Sequence, residues 1–152
     1  MEALLPRLIV GRPLLGLDVG SKTIGIAVSD TTWIIASARQ TIWRGKFRDD
    51  AAELLAIAEQ LKACGFIVGL PLNMDGSQGP RAQSTRAFVR NLAALTPLPI
   101  DVWDERLSTA AAERVLLEAD TSRKRRAEVI DKTAAAYILQ GALDRLSHLR
   151  AP

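Results

Sequence analysis

Four acidic residues stand where an apolar segment gives way to a turn or to a helix. Asp18 closes the apolar run 14–17, Asp104 and Glu105 close the segment PIDVWDE, and Asp131 opens the last helical segment. Gathered at one sheet edge, such carboxylates would repel and raise one another's pKa unless a cation neutralised them. Oxygen donors alone suit Mg²⁺ or Mn²⁺. The sole histidine, His148, lies near the chain end, so a histidine-based zinc site is excluded. Carboxylates that hold two such ions are a standard device for phosphodiester hydrolysis. An Asp after a strand, or in the first turn of a helix, also has a plain structural reason. Co-location in the fold therefore carries the catalytic reading.

The elements that must position these acids follow from the apolar pattern. LLGLDVGSKTIGIAVSD, residues 14–30, reads as two apolar strands around a four-residue Gly-containing turn, a hairpin. WIIASARQTIW, residues 33–43, predicts a third strand. Phe47, Ala51, Leu54, Leu55, Ala58 and Leu61 recur at helical spacing, which predicts a helix over about 46–62 closed by Gly65. Residues 66–70 form a short continuous apolar run, as in a buried parallel strand. A loop, PLNMDGSQGP, separates it from a helix over about 81–95, with Pro80 suited to the start.

PIDVWDE reads as the fifth strand, and Ser108 or Thr109 caps a helix with Ala112, Val115, Leu116 and Ala119 inward. A basic connector, SRKRRAE, leads to the last helix, over about 129–146. There Ala135, Ile138 and Ala142 follow Asp131 at i+4, i+7 and i+11, so Asp131 shares the apolar stripe that faces the sheet. The predicted class is α/β: a mixed sheet of about five strands, a three-strand meander then strand–helix alternation, with helices on both faces.

Basic residues flank this frame. Lys22 and Ser21 lie in the turn beside Asp18, placed for a phosphate or for solvent. Arg81, Arg86 and Arg90 lie on the helix after the PLNMDGSQGP loop, itself a lid over nucleic acid or a plain connector. Arg123, Lys124, Arg125 and Arg126 precede Asp131. Most charge runs are solvated faces, but one beside a metal site is where a phosphate backbone would lie. Arg106 adjoins the acidic pair, to contact phosphate or to brace a carboxylate. Trp33, Trp43 and Trp103 each fall in a predicted strand and read as core.

The bulk numbers agree. The 152 residues suit one domain, 1–152, with a motif-bearing core of about 13–146. A net charge of +3 leans towards an anionic partner. One cysteine, Cys64, leaves no disulfide framework and reads as a small apolar residue. The start is too short and too broken by prolines for a signal peptide, and no apolar run reaches the ~18 residues of a membrane helix. A cytoplasmic protein without a membrane partner is expected.

Four motifs, LLGLDVGSKTIGIAVSD, IVGLPLNMDGSQGP, DERLSTAAAERVL and IDKTAAAYILQGALD, stand in an order that resembles the YqgF family over residues 13–146. That is the bacterial family of pre-16S ribosomal RNA nucleases, also described as Holliday-junction-resolvase-like. The resemblance implies a ribonuclease H-like fold, a divalent cation, and trimming of the 5′ end of precursor 16S rRNA during ribosome biogenesis. It places the acidic positions on Asp18, the Asp104–Glu105 pair and Asp131. Asp18, Glu105 and Asp131 are the favoured metal ligands, with Asp104 close behind Glu105.

Two alternatives compete. One is a resolvase-like endonuclease on branched DNA, which needs paired active sites and so predicts a homodimer. The other is a non-catalytic RNA-binding factor acting on pre-ribosomal particles. The Asp-x-Gly-Ser-Lys run from Asp18 to Lys22 also fits the first phosphate loop of sugar-kinase and actin-like ATPases. Those need a second such domain and a later glycine-rich loop, which this chain lacks.

Overall fold

The computed structural model describes the backbone of residues 1–107 and 123–150, and the side chains of 1–107 and 132–150. Five strands form one sheet: β1 (Leu14–Val19), β2 (Thr23–Ser29), β3 (Ala36–Trp43), β4 (Gly65–Leu70) and β5 (Ile100–Asp104). Their order is β3-β2-β1-β4-β5. The β1–β2 and β2–β3 pairs are antiparallel, whereas β1–β4 and β4–β5 are parallel. The predicted meander and the alternation after it are both present.

Helices α1 (Phe47–Leu61) and α2 (Pro80–Ala93) cover one face, and α3 (Arg123–Arg150) covers the other. Strict alternation along the inner strands makes this two-sided. Leu15, Leu17, Ile24, Ile26, Phe66 and Val68 pack with Leu54 of α1 and Phe88 of α2. Leu14, Ala27 and Ile67 point the other way, to Ala135, Ile138 and Leu139 of α3. Gly16 lets α3 approach: a Cβ there would stand 2.7 Å from Leu139 Cβ and 3.0 Å from the Ala135 carbonyl. Cys64 is buried, as expected, and burial pushes its thiol pKa up. No helix among the described residues is long and apolar enough to cross a membrane.

Four boundaries differ from the sequence reading. The third strand starts at Ala36, not Trp33. Asp30 takes residues 30–35 into a turn instead: its carboxylate accepts from the Ile34 and Ile35 amides, at 2.7 and 2.9 Å, and from Thr32. Trp33 sits in that turn at φ 59°. Helix α1 is closed by Lys62 in the left-handed region, not by Gly65. Gly65 instead starts β4, where the Pro99 carbonyl lies 3.0 Å from a would-be Cβ.

The last helix begins at Arg123, so SRKRRAE is not a connector beyond its first residue. Arg, Lys, Ala and Glu are all good helix formers, and nothing there breaks the helix. Asp131 is consequently not in a first turn. Of the tryptophans, Trp33 is core but not in a strand, and its indole N–H donates to the Arg12 carbonyl at 2.6 Å. Trp43 is 46% exposed, against the expectation of core. The helix predicted from Ser108 or Thr109 lies outside the described residues.

Candidate active site

The parallel strands β1, β4 and β5 end together, and the acidic residues lie at that end. Asp18 is the penultimate residue of β1 and is only 2% exposed. It is two residues beyond Gly16, so it shares Gly16's face, the α3 side. The β1–β4 register pairs Leu17 with Val68. One step further, Gly69 is the neighbour of Asp18 across ~4.8 Å of sheet.

Glu105 reaches the same place from the next strand. It opens a short 3₁₀ turn, Glu105–Leu107, directly after β5. A Cβ on Gly69 would stand 2.9 Å from Glu105 Oε1 and 2.4 Å from Ile138 Cδ1. The missing side chain is thus what admits the Glu105 carboxylate between β4 and α3. Asp18 and Glu105 share one sheet face with only a glycine between them. A glycine inside an apolar strand marks close approach of something else, and that signal in IVGLPL went unread in the sequence.

Asp104 is on the other side. It follows Val102 at a spacing of two, and Val102 pairs with Val68, which belongs to the α1–α2 core. Its carboxylate is gripped by Arg106: Nε donates to both oxygens at 3.1 and 3.0 Å, and a terminal nitrogen donates to Oδ2 at 2.6 Å. The Arg106 guanidinium holds the Asp104 carboxyl below the usual range. Arg106 therefore braces a carboxylate. It also ties down the 71–79 loop, donating to the Met74 carbonyl at 3.2 Å and lying against Gly76, which sits at φ 88°.

That loop is internally bonded. The Gly76 amide donates to the Asn73 carbonyl at 2.8 Å, and Ser77 donates through its amide and hydroxyl to Asp75 Oδ1 at 2.9 and 2.6 Å. It projects Met74, 89% exposed, beside the acidic end of the sheet.

The remaining site candidates surround this end or lie outside the described side chains. Lys22 is exposed in the turn after β1. Arg44, which sequence reading passed over, holds that turn by donating to the Gly20 carbonyl at 2.7 Å. Arg81 is exposed at the start of α2, and Arg86 Nε donates to Gln78 at 2.8 Å. Asp131 lies in α3 one turn before Ala135, but its side chain is outside the described residues. The same holds for the side chains of Arg123, Lys124, Arg125 and Arg126. Among the described residues no group of three or more His, Cys, Asp or Glu gathers; of the four acids, register and the Gly69 contact put Asp18 and Glu105 on the same face at the same end of the sheet.

These two suit a hard divalent cation. Both present oxygen, one is buried on a rigid strand, and Gly69 leaves room for the other on the same face of the neighbouring strand.

Comparisons with known proteins place the chain in a family and a fold. A family model described as "RuvX: Holliday junction resolvase" matches residues 12–145. A Rhodobacter capsulatus protein named "Putative pre-16S rRNA nuclease" is 65% identical over 147 residues, covering 97% of this chain and 91% of that protein. A Bradyrhizobium relative of the same name is 66% identical over 137 residues, with 90% and 85% covered. Among solved structures, Thermus thermophilus RuvC in complex with a Holliday junction substrate superposes with TM-score 0.55 at 13% identity, covering 88% of this chain and 94% of that one. The yeast mitochondrial resolvase Ydc2 gives TM-score 0.51 at 12% identity, with 98% and 88% covered. The fold is accordingly ribonuclease H-like, and the chain is a member of the RuvX (YqgF) family.

Proposed function

We propose that the chain is a single-domain, divalent-metal-dependent endonuclease that hydrolyses phosphodiester bonds in precursor 16S rRNA, at its 5′ end. The observation that carries this reading is the placement of buried Asp18 and of Glu105 on one sheet face, either side of Gly69. The names of relatives 65% identical over nearly the whole chain support the substrate. Asp18, Glu105 and Asp131 are the residues that would hold Mg²⁺ or Mn²⁺. When bound, the metal supplies an activated water and charge neutralisation at the leaving oxygen.

The chain's own residues do the rest. Asp18 fixes the site to an inner strand that cannot shift without moving the sheet. Glu105 closes it from β5. Lys22, Arg81 and the Arg123–Arg126 run supply positive charge along which a phosphate backbone lies. Arg106 keeps the β5 end and the 71–79 loop in one arrangement.

A second reading, cleavage of four-way DNA junctions, is favoured by the family description and the RuvC-like fold. It requires two sites in a symmetric dimer.

The test incubates the protein with precursor 16S rRNA and with a four-way junction, each in Mg²⁺, Mn²⁺ or EDTA. Calorimetric Mg²⁺ titration of the wild type and Asp18→Asn runs beside it. The expected result is metal-dependent cleavage of the precursor and weaker metal binding by the variant. Junction cleavage by a dimer selects the second reading. RNA binding with no cleavage in any metal leaves a non-catalytic assembly factor.

A further inference from the structure

The three tryptophans have three different surroundings. Trp33 is 4% exposed and its indole N–H is bonded. Trp103 is half-buried, with its ring against Gly141 of α3. Trp43 is the most exposed of the three, at 46%, although it too has a contact of its own. It occupies the last position of β3, an edge strand. Its partner across the strands is β-branched Thr23, so pairing accounts for an aromatic at this position but not for the large part of the ring that reaches solvent.

The register gives the ring a place in the site. Asp18 pairs with Gly25, and Gly25 pairs with Thr41. Residues paired across a sheet share a face, so Thr41 is on the Asp18 side. Trp43, two residues on, is on that side too, and it pairs with Thr23. Ile42, between them, belongs to the opposite core, as alternation demands. Two strand spacings and two residues along the strand put Trp43 at roughly 12 Å from Asp18. Exposed Lys22 precedes Thr23, and exposed Lys46 follows Trp43 by three residues. An aromatic face flanked by cations, on the face and at the end of the sheet that carry the acids, is the make-up of a single-strand binding platform.

We propose that Trp43 stacks on an unpaired base of the nucleic-acid substrate, a few positions from the cleaved phosphate. The site would then prefer a single-stranded segment next to the cleavage point, with little sequence preference, because every base offers a π-face. This inference rests on the nuclease reading and adds the binding residue that the acids and the basic groups do not provide.

The test uses the full chain, as wild type, Trp43→Ala and Trp43→Phe. A short, labelled, mixed-sequence single-stranded RNA and its blunt duplex are titrated in EDTA and in Ca²⁺, with anisotropy and intrinsic tryptophan fluorescence followed together. Single-strand binding by the wild type should quench tryptophan emission. Trp43→Ala should weaken it roughly 5- to 150-fold, with an unchanged salt slope. Trp43→Phe should recover most of the loss, and the duplex should bind almost alike to all three.

Thermal midpoints show whether each variant is folded, and the wild-type quench stands without them. Single-strand binding by folded Trp43→Ala within twofold of wild type overturns the inference. So does an equal loss in Trp43→Phe, which would mean an indole N–H bond rather than stacking. So does binding without quenching. Failure of the wild type to bind either nucleic acid in either buffer would remove the nuclease reading itself.

Discussion

Glu105 lies where the side chain of residue 69 would be: its Oε1 is 2.9 Å from the Cβ position of Gly69. Gly16, two strand positions back on β1 from Asp18, faces the same helix but meets different atoms. A Cβ there runs into Leu139 Cβ at 2.7 Å and the Ala135 carbonyl at 3.0 Å, neither of which can swing aside. At Gly69 the nearest atoms are the far ends of the Ile138 and Glu105 side chains. Gly69→Ala should therefore keep the fold, losing no more than about 1–3 kcal/mol of stability, yet lose most cleavage because Glu105 must move. Gly16→Ala should lose stability first, as α3 is pushed off the sheet. Melting curves and cleavage rates of the two variants, side by side, check the contrast. Equal activity loss at equal stability loss would show that Glu105 is not held by Gly69.

Glu105 and Asp104 are adjacent but serve opposite faces. Glu105→Gln should abolish cleavage and weaken Mg²⁺ binding, with little change in the melting temperature of the metal-free protein. Asp104→Asn should bind Mg²⁺ almost normally, because its carboxylate is engaged by Arg106 on the far side of the sheet. Calorimetry of both variants decides it. If Asp104→Asn loses the metal and Glu105→Gln keeps it, the face assignment is wrong.

Arg106 bonds to both the Asp104 carboxylate and the Met74 carbonyl. Arg106→Lys keeps a charge but cannot make the forked contact. It should free the 71–79 loop, raising hydrogen exchange at the Asn73 and Gly76 amides, and lower cleavage through KM more than through kcat. If Arg106 touched the reacting phosphate instead, kcat would fall and exchange in the loop would stay unchanged.

The meander, the strand–helix alternation after it and the helices on both faces were legible because the runs 14–19, 23–29 and 65–70 are almost wholly apolar and the helical stripes are long. Asp18 was legible as an acid at the end of a buried run. Which of Asp104 and Glu105 faces it was not, because strand parity cannot be counted through the turn that begins at Glu105. The side that Glu105 takes depends on Gly69, 36 positions earlier, and on Ile138 of α3. Trp43 was misread for a related reason. Edge position decides its exposure, and the meander alone does not say which strand is outermost. The true start of β3 was hidden by Asp30, whose one carboxylate reorganises five following residues that otherwise look like strand.

That Asp30 turn gives the last prediction. The Thr32 hydroxyl is the largest influence on the Asp30 carboxyl, followed by the Ile35, Ile34 and Thr32 amides, and together they hold its pKa far below the ordinary carboxylate value. The depressed value belongs to the folded state, so the turn's contribution is fully present above the unfolded pKa of ~3.9. It is lost as pH falls from there towards the folded value. Asp30→Asn removes the charge and one acceptor oxygen. At pH 7 it should cost about 1 kcal/mol, a modest figure because the group is exposed and screened by solvent. The gap between wild type and variant should narrow steadily below pH 4, as the unfolded chain takes up a proton on Asp30 that the folded turn still excludes. Asp30 follows β2 at the end of the sheet opposite Asp18, so cleavage at pH 7 should be unchanged. Urea midpoints of both proteins at pH 7, 4 and 3 measure the gap. A gap that stays constant across that range would mean that the Asp30 charge does nothing for the turn, and that the backbone alone sets the start of β3.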